Sequence, residues 1–320
     1  MEQREDTFSK AAAAGAERLM RAEADAFLAA MPAGLQHRQA EAVLSAMAGD
    51  AAALTAVRHS RNTPPPCPAN VESRMIAANM RIYEPRGCAH RRLPALLYLH
   101  GGGWTFGSIN SCGRFCGAMA ASGRVRVFAL DYRLAPEHPF PDGLNDCMAA
   151  LNHIARHAGD LMIDASRITV GGDSSGGNLA LATALSQQCR GKVESLLLFY
   201  PVTKAKADGS ESWSRYGCGY GLDAELMEAF NRAYTQRAEP ASTAVSPGLC
   251  NSHELQQLPR TLIVAAERDI LRDQGAELAQ RMGSRARRVK YGGAVHLFIT
   301  VPGQDTAFSQ AVTDALAFID

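Results

Sequence analysis

The sequence predicts an α/β fold with a mostly parallel central sheet flanked by helices, and two observations support this prediction. Short apolar runs recur from about residue 75 onward and alternate with segments of helical periodicity. Several of these runs, such as Leu96–Leu99 and Leu196–Phe199, are continuously apolar. Continuous runs suit strands that are buried on both faces, and the intervening helices supply the crossovers that parallel strands require.

Seven segments have the length and composition of strands. They are Met75–Tyr83, Ala95–His100, Val125–Asp131, Arg167–Gly171, Ser195–Tyr200, Thr261–Ala266 and Arg287–Tyr291. Because each pair of later strands is separated by a helical pattern, we expect these strands to lie parallel in one sheet.

Two regions of the chain depart from this rhythm. Residues 1–60 are rich in helix-forming Ala, Leu, Met and Glu and end at a proline-rich run, residues 64–68. Residues 202–240 carry aromatic side chains amid glycines. We therefore expect a main domain over 61–320, covered by a helical cap that combines residues 1–60 with an insertion at about 202–240.

Composition excludes several classes of function. The chain of 320 residues carries 33 Lys and Arg against 32 Asp and Glu, a formal net charge of +1. This balance supplies no basic field for nucleic acid or for anionic lipid. No run reaches the roughly 18–20 apolar residues that a membrane span needs, and Glu17 and Arg18 interrupt the apolar stretch that a signal peptide would require. We expect a cytoplasmic protein that binds neither nucleic acid nor membranes.

The eight cysteines do not form a recognisable metal-binding pattern. Their spacings include no CxxC pair, which makes a zinc site improbable and favours free thiols in a reducing compartment. We expect no metal.

The strongest local motif is Gly172-Asp-Ser-Ser-Gly176, which contains Ser174. It follows the strand-like run Ile168–Gly171 and precedes the helix-like run Asn178–Leu185. A strand, a tight glycine-flanked turn and a helix are the context of a nucleophile elbow, in which a serine hydroxyl is presented at the carboxyl end of a sheet. The helix that follows favours negative charge at its N-terminus. The motif therefore predicts Ser174 as a nucleophile.

A second motif, His100-Gly101-Gly102-Gly103-Trp104, follows an earlier predicted strand. Consecutive glycines allow backbone N–H groups to converge on one point, as an oxyanion hole requires. Beside a nucleophile elbow, such a loop is typical of the oxyanion loop of esterases.

A nucleophile elbow is followed along the chain by an acid and then by a histidine. Only His253 and His296 follow Ser174; His253 lies in a polar run typical of a surface helix, whereas His296 lies just past the last predicted strand. Asp269 and Asp273 both follow the strand Thr261–Ala266. We choose Asp269 because Asp273 begins a helical pattern, where an acidic residue has a structural explanation.

Five motifs, taken together, resemble the hormone-sensitive-lipase-like family of α/β-hydrolase esterases, and their layout resembles its bacterial acetyl-esterase branch. The motifs are His100–Trp104, Asp131–Pro141, Gly172–Asn178, Asp269–Asp273 and His296–Phe298. The resemblance covers about residues 75–320. Three positions depart from the family pattern. Ser175 stands where alanine is usual, which should matter little because only its N–H is used. Ile270 stands where proline is usual and Gln274 where Glu is common, and we expect both to loosen the loop around Asp269.

The resemblance implies a serine carboxylesterase that acts on short acyl esters, acetyl to butyryl, without a cofactor. It implies that the backbone amides of Gly102, Gly103 and Ser175 form the oxyanion hole. The remaining motif residues are expected to support the site; they are His100, Gly101, Gly172, Asp173 and Gly176, with Asp173 most simply explained by a structural hydrogen bond. Glu137 is expected to buttress the glycine loop.

Two alternative functions remain open from the sequence. An amidase or another acyl hydrolase would use the same three side chains on the same scaffold. A non-catalytic relative that binds a small ligand would be expected to lack the histidine, whereas His296 is present. The expected partner is a small ester, and the chain is expected to be a monomer or a homodimer.

Overall fold

The computed structural model of the protein describes the backbone of residues 2–320 and the side chains of residues 14–320. Eight strands form one sheet: β1 (Val71–Ala77), β2 (Met80–Pro85), β3 (Leu93–Leu99), β4 (Arg126–Leu130), β5 (Ile163–Asp173), β6 (Ser195–Phe199), β7 (Arg260–Arg268) and β8 (Ala286–Val295). The strand order is β1-β2-β4-β3-β5-β6-β7-β8. The first two pairings, β1 with β2 and β2 with β4, are antiparallel, and the other five are parallel. The predicted fold class is confirmed.

Eleven α-helices connect or cover these strands in the described backbone. They are α1 (Glu2–Ala30), α2 (Leu35–Met47), α3 (Ala52–Ser60), α4 (Gly113–Ala121), α5 (Asp142–Arg156), α6 (Ser175–Leu185), α7 (Glu211–Tyr216), α8 (Ala224–Thr235), α9 (Ser252–Gln256), α10 (Arg272–Met282) and α11 (Asp305–Ile319).

The central strand β3 shows why the apolar runs are continuous. All seven of its residues are buried, with Leu97 and Leu99 packing into one core and Leu96 and Tyr98 into the other. The first core also receives α5, α6 and α10, while the second receives α4 and α11. Because helices cover both faces, the sheet has no solvent-facing side that would demand alternating polar residues.

One predicted strand is wrong in detail. The segment Met75–Tyr83 was expected to be a single strand, but it spans the hairpin between β1 and β2, in which Ala77 pairs with Met80. The two turn residues, Ala78 and Asn79, include no glycine or proline, so the sequence lacks the usual signal for a tight hairpin turn. The hairpin was therefore not recognisable from composition.

Two of the helices of residues 1–60, α1 and α2, contact the main domain as follows. Helix α2 lies against α8, where the side-chain amide of Gln36 donates to the carbonyl of Gly221 and accepts from the N–H of Asp223. Helix α1 lies along β8 and α11, and its Asp25 pairs with Arg268 at the end of β7. The side chains of residues 1–13, which belong to the predicted cap segment, lie outside the described residues.

Two further features, a cluster of metal ligands and a membrane-spanning helix, are absent from the described residues. Within residues 14–320 no cluster of three or more His, Cys, Asp or Glu side chains has the arrangement of a metal site. None of the described helices is both long enough and apolar enough to cross a membrane.

Candidate active site

Three parallel strands deliver the predicted acid, base and nucleophile to one edge of the sheet. Ser174 is the first residue after β5, Asp269 the first after β7 and His296 the first after β8. Because parallel strands end at the same edge, side chains far apart in sequence meet there without any special loop geometry.

The backbone at Ser174 has the strained geometry of a nucleophile elbow. Its φ is 54° and its ψ is −118°, a conformation that residues with a side chain rarely adopt. A Cβ at Gly172 would approach the carbonyl carbon of Gly176 to 2.4 Å, and one at Gly176 would approach the Leu99 carbonyl oxygen to 1.9 Å. The two glycines therefore allow the turn to close against β3.

The three side chains form a continuous chain of hydrogen bonds. Asp269 Oδ2 lies 2.7 Å from His296 Nδ1, and His296 Nε2 lies 3.2 Å from Ser174 Oγ. Since a carboxylate only accepts, Nδ1 carries the proton and Nε2 is free to accept from the serine hydroxyl. The three groups are 1%, 1% and 6% exposed, so bulk water does not compete for these bonds.

The glycine loop lies beside Ser174 with backbone N–H groups available. Gly102 and Gly103 have φ values of 121° and 60°, in the left-handed region that favours glycine. Among the described residues, neither N–H has a hydrogen-bond acceptor, while the Gly102 carbonyl accepts from Thr105 and Phe106. Ser175 is the first residue of α6, where an N–H has no acceptor within the helix. Three unpaired donors thus flank the serine.

Asp173 joins the elbow to the glycine loop. Its buried carboxylate accepts from the backbone N–H of Gly101 and from the hydroxyl of Tyr98, both at 3.0 Å. Burial raises the pKa of Asp173 to about 6, although both hydrogen bonds oppose this change. The expected structural hydrogen bond is present, and its partner is the loop itself.

His100, at the head of the glycine loop, is fixed by Tyr132. The two rings stack with centroids 4.3 Å apart, and the Tyr132 hydroxyl donates to the His100 carbonyl at 2.7 Å. Burial lowers the pKa of the His100 imidazole, which favours its neutral form. His100 therefore packs as a support for the loop. Its imidazole is not part of the hydrogen-bond chain of Asp269, His296 and Ser174.

A family model for the α/β hydrolase fold matches residues 96–300, which is more than half of the chain. The chain belongs to the α/β hydrolase fold family. The resemblance to the hormone-sensitive-lipase-like esterases that the five motifs indicated is thereby confirmed.

The chain is similar to a carboxylesterase, to an ethyl acetate hydrolase and to an esterase of known structure. It is 38% identical to an ethyl acetate hydrolase of Pseudomonas putida, over 65% of this chain and 64% of that protein. It is 36% identical to the carboxylesterase NlhH of Mycobacterium tuberculosis, over 63% of this chain and 64% of the relative. The crystal structure of a thermostable esterase from Pseudomonas putida ECU1011 superimposes with a TM-score of 0.76 at 27% identity, covering 93% of this chain and 94% of that one. The chain spans 55–65% of the length of the first curated relatives that it matches.

Gln304 binds the backbone beside His296, a contact that the sequence analysis missed. Its side-chain amide is 1% exposed; Nε2 donates to the His296 carbonyl at 3.0 Å, and Oε1 accepts from the Val295 N–H at 3.0 Å. These two hydrogen bonds from one side-chain amide fix the backbone at Val295 and His296. The sequence carries no motif for this role, because any buried polar side chain near the histidine would fit the pattern equally well.

The glycine loop is supported by hydrogen bonds from Arg58 of α3, and not directly by Glu137. The Arg58 guanidinium donates to the carbonyls of Thr105 and Ala135 at 2.8 and 2.7 Å. Glu137 accepts two bonds from the same guanidinium, each at 2.8 Å, and so acts through it. The prediction that Glu137 buttresses the loop is thus corrected: the buttress comes from the N-terminal helices.

The loop that carries Asp269 is held firmly despite its unusual sequence. Asp269 Oδ1 accepts from the Leu271 N–H at 2.9 Å, and the Ile270 carbonyl accepts from the Ser212 hydroxyl at 2.8 Å. Gln274 is buried and accepts from the N–H of Thr203 at 2.9 Å. The expectation that Ile270 and Gln274 loosen this loop stays a prediction; in the structure both positions are buried and each accepts a hydrogen bond.

Proposed function

We propose that this α/β hydrolase cleaves carboxylic esters by two-step acyl transfer, with Ser174 as nucleophile, His296 as base and Asp269 as the acid that orients it. One observation carries the proposal: a continuous Asp269–His296–Ser174 hydrogen-bond chain lies beside backbone N–H groups that have no acceptor among the described residues. The names of the relatives, which include a carboxylesterase and an ethyl acetate hydrolase, support the same reaction class.

In the first step His296 Nε2 takes the hydroxyl proton of Ser174 as Oγ attacks the ester carbonyl. Asp269, which already accepts from Nδ1, stabilises the imidazolium that forms. The carbonyl oxygen becomes an oxyanion, and the N–H groups of Gly102, Gly103 and Ser175 would stabilise it. These donors are in place before the reaction, so their orientation costs little reorganisation in the transition state.

In the second half of the cycle His296 returns its proton to the leaving alcohol, and an acyl-enzyme on Ser174 remains. Water then attacks this ester with His296 as base, and the acid is released. Ser174, His296 and the attacking water account for every proton transfer, so the mechanism calls for no metal or cofactor.

The packing of the glycine loop favours small acyl groups. The Phe230 ring lies so close to Gly103 that a Cβ there would come within 2.1 Å of ring atoms. Phe106 meets the same ring edge-on at a centroid distance of 5.0 Å. These aromatic side chains leave little room on the Gly103 side of the loop, and we infer a preference for acetyl to butyryl esters over longer ones.

The test is a series of p-nitrophenyl esters from acetate to palmitate, with Ser174→Ala to define the background. We expect kcat/KM to be highest between acetate and butyrate and turnover to vanish in the variant. The matched amide, p-nitroacetanilide, distinguishes an esterase from an amidase. A maximum at laurate or palmitate would contradict the size preference, and turnover that survives in Ser174→Ala would contradict the mechanism.

A further inference from the structure

A cavity of about 320 Å³ lies beside the glycine loop and outside the hydrogen-bonded triad. Its wall includes Gly101 and Gly102 on one side and Leu297, the residue after His296, on another. The linker that follows α3 closes it with Arg61, and Arg114 of α4 also lines it. The cavity therefore adjoins the place where an ester carbonyl would bind.

Arg61 enters this cavity without a counter-charge. Among the described residues, the Arg61 guanidinium makes no hydrogen bond and no ion pair. It makes a cation–π contact with the Phe106 ring, whose centroid lies 5.2 Å from Cζ. Burial lowers the pKa of the Arg61 guanidinium, but an arginine stays protonated at any physiological pH. A positive charge that is partly removed from water and left unpaired carries a free-energy cost that an anion would relieve.

Arg114, which also lines the cavity, uses only part of its hydrogen-bonding capacity. Its Nη2 donates to Asp305 at 2.6 Å, and its Cζ lies 3.7 Å from the centroid of the Phe308 ring. Its Nη1 is buried and has no partner among the described residues. The ion pair and the ring contact thus fix the Arg114 guanidinium, while its Nη1 has no hydrogen-bond acceptor among the described residues.

The rest of the cavity wall is neutral. Thr63, Asn110, Ser111 and Thr300 contribute polar side chains, and no Asp or Glu is among the lining residues. Two arginines therefore line one small space with no acidic side chain in its wall, and of the two only Arg61 has no ion pair among the described residues. Guanidinium forks match the two oxygens of a carboxylate better than any neutral group.

We propose that this cavity binds a carboxylate carried by the substrate, so that esters with an anionic group are preferred over neutral esters of the same size. This inference rests on the proposed ester hydrolysis and names its substrate class. The carboxylate would belong to the acyl part, as in a half-ester of a dicarboxylic acid, or to the alcohol part. Both share the same chemistry, and the experiment distinguishes them.

The experiment uses two matched pairs in which a carboxylate replaces a methyl group. Ethyl butyrate and monoethyl succinate test the acyl part; p-tolyl acetate and 4-acetoxybenzoate test the alcohol part. We measure the ratio of kcat/KM for the anionic ester to that for the neutral ester. The ratio should exceed one for at least one pair in the wild type, and it should fall about tenfold or more in Arg61→Gln and in Arg114→Gln.

Two further variants make the comparison specific. Arg86→Gln removes the same charge from an exposed turn at the opposite edge of the sheet and should leave the ratio unchanged. Arg61→Lys keeps the charge without the fork and should retain part of the preference. It also remains informative if Arg61→Gln fails to fold.

Two results would overturn the inference: a wild-type ratio below one for both pairs, or a ratio unaffected by both arginine substitutions. A separate readout distinguishes this failure from failure of the proposed reaction. Monoethyl succinate should raise the Tm of Ser174→Ala more than ethyl butyrate does, and Arg61→Gln in that background should abolish the difference. If no ester is hydrolysed, this binding difference still supports the anion site, and its absence overturns it.

Discussion

The carboxylate of Asp173 accepts a hydrogen bond from the backbone N–H of Gly101 at 3.0 Å, which joins the turn that carries Ser174 to the glycine loop. A Cβ on Gly101 would lie 2.2 Å from Asp173 Oδ2, so the contact also requires glycine on the loop side. The position of the loop donors relative to Ser174 therefore depends on one buried carboxylate.

Substitution of Asp173 by Leu, which has a similar shape but no acceptor, should lower kcat about tenfold or more. The Gly101 N–H would lose its partner, and the neighbouring loop donors would no longer be held where the oxyanion forms. Asp173→Asn keeps an oxygen at the acceptor position and should cost much less. Equal losses in the two variants, or no loss in Asp173→Leu, would show that this bond does not position the loop.

The same carboxylate should make stability depend on pH in an unusual direction. The pKa of Asp173 rises from 3.8 to about 6 on folding because the group is buried. The native state therefore binds the proton more tightly than the unfolded chain, and the free energy of unfolding falls as pH rises from about 4 to about 6. Relative to Asp173→Asn, which does not titrate, the wild type should lose about 2 kcal/mol over this window.

Urea denaturation of both proteins at pH 4 and pH 7 measures this difference. Other titrating groups contribute equally to the two proteins and cancel in the comparison. A difference in unfolding free energy that stays constant with pH would mean that Asp173 has an ordinary pKa in the folded protein.

Gln304 should matter for rate although it contacts no reacting atom. In Gln304→Leu the Val295 N–H and the His296 carbonyl lose their partners, and we expect a loss of about 1–3 kcal/mol in unfolding free energy. The kcat should fall with little change in KM, since the base is displaced while the substrate site is left intact. Gln310→Leu, on the exposed face of α11, is the matched control and should change neither quantity. A variant with lowered Tm and normal kcat would indicate a purely structural role.

The two acidic residues after β7 should behave differently. Asp269 bonds to His296 Nδ1, whereas Asp273 accepts from the Ser212 N–H at 2.8 Å and from Arg272 Nε at 2.7 Å. By analogy with the same substitution in serine proteases, Asp269→Asn should lower kcat roughly 10³–10⁴-fold because the wrong tautomer of His296 is favoured. Asp273→Asn should lower Tm and leave kcat nearly unchanged. A larger loss of kcat at Asp273 would reverse the assignment.

The sequence predicted those parts of the molecule that depend on local pattern and chain order. Continuous apolar runs identified the buried strands, and a nucleophile elbow placed Ser174 at the end of one of them. Because the strands are parallel, the residues that follow β7 and β8 had to lie at the same edge, which left few candidates for the acid and the base.

The sequence could not predict contacts that the tertiary fold alone creates. Arg61 and Arg114 are distant in sequence and share a cavity only because the linker crosses the start of α4. Arg58 reaches the glycine loop from a segment that composition identifies only as helix-forming. Single polar residues such as Gln304 carry no periodic or spacing signal, so their partners are visible only in three dimensions.

The central claim is that Ser174 is the nucleophile, and covalent labelling tests it most directly. Diethyl p-nitrophenyl phosphate should inactivate the protein and add one diethylphosphoryl group to the peptide that contains Ser174, as measured by mass spectrometry. Ser175→Ala is the matched control, since it removes the neighbouring hydroxyl but keeps the backbone N–H of that position. We predict stoichiometric labelling and normal turnover in Ser175→Ala and neither in Ser174→Ala. Labelling at another residue, or Ser174→Ala that is still labelled and active, would contradict the account.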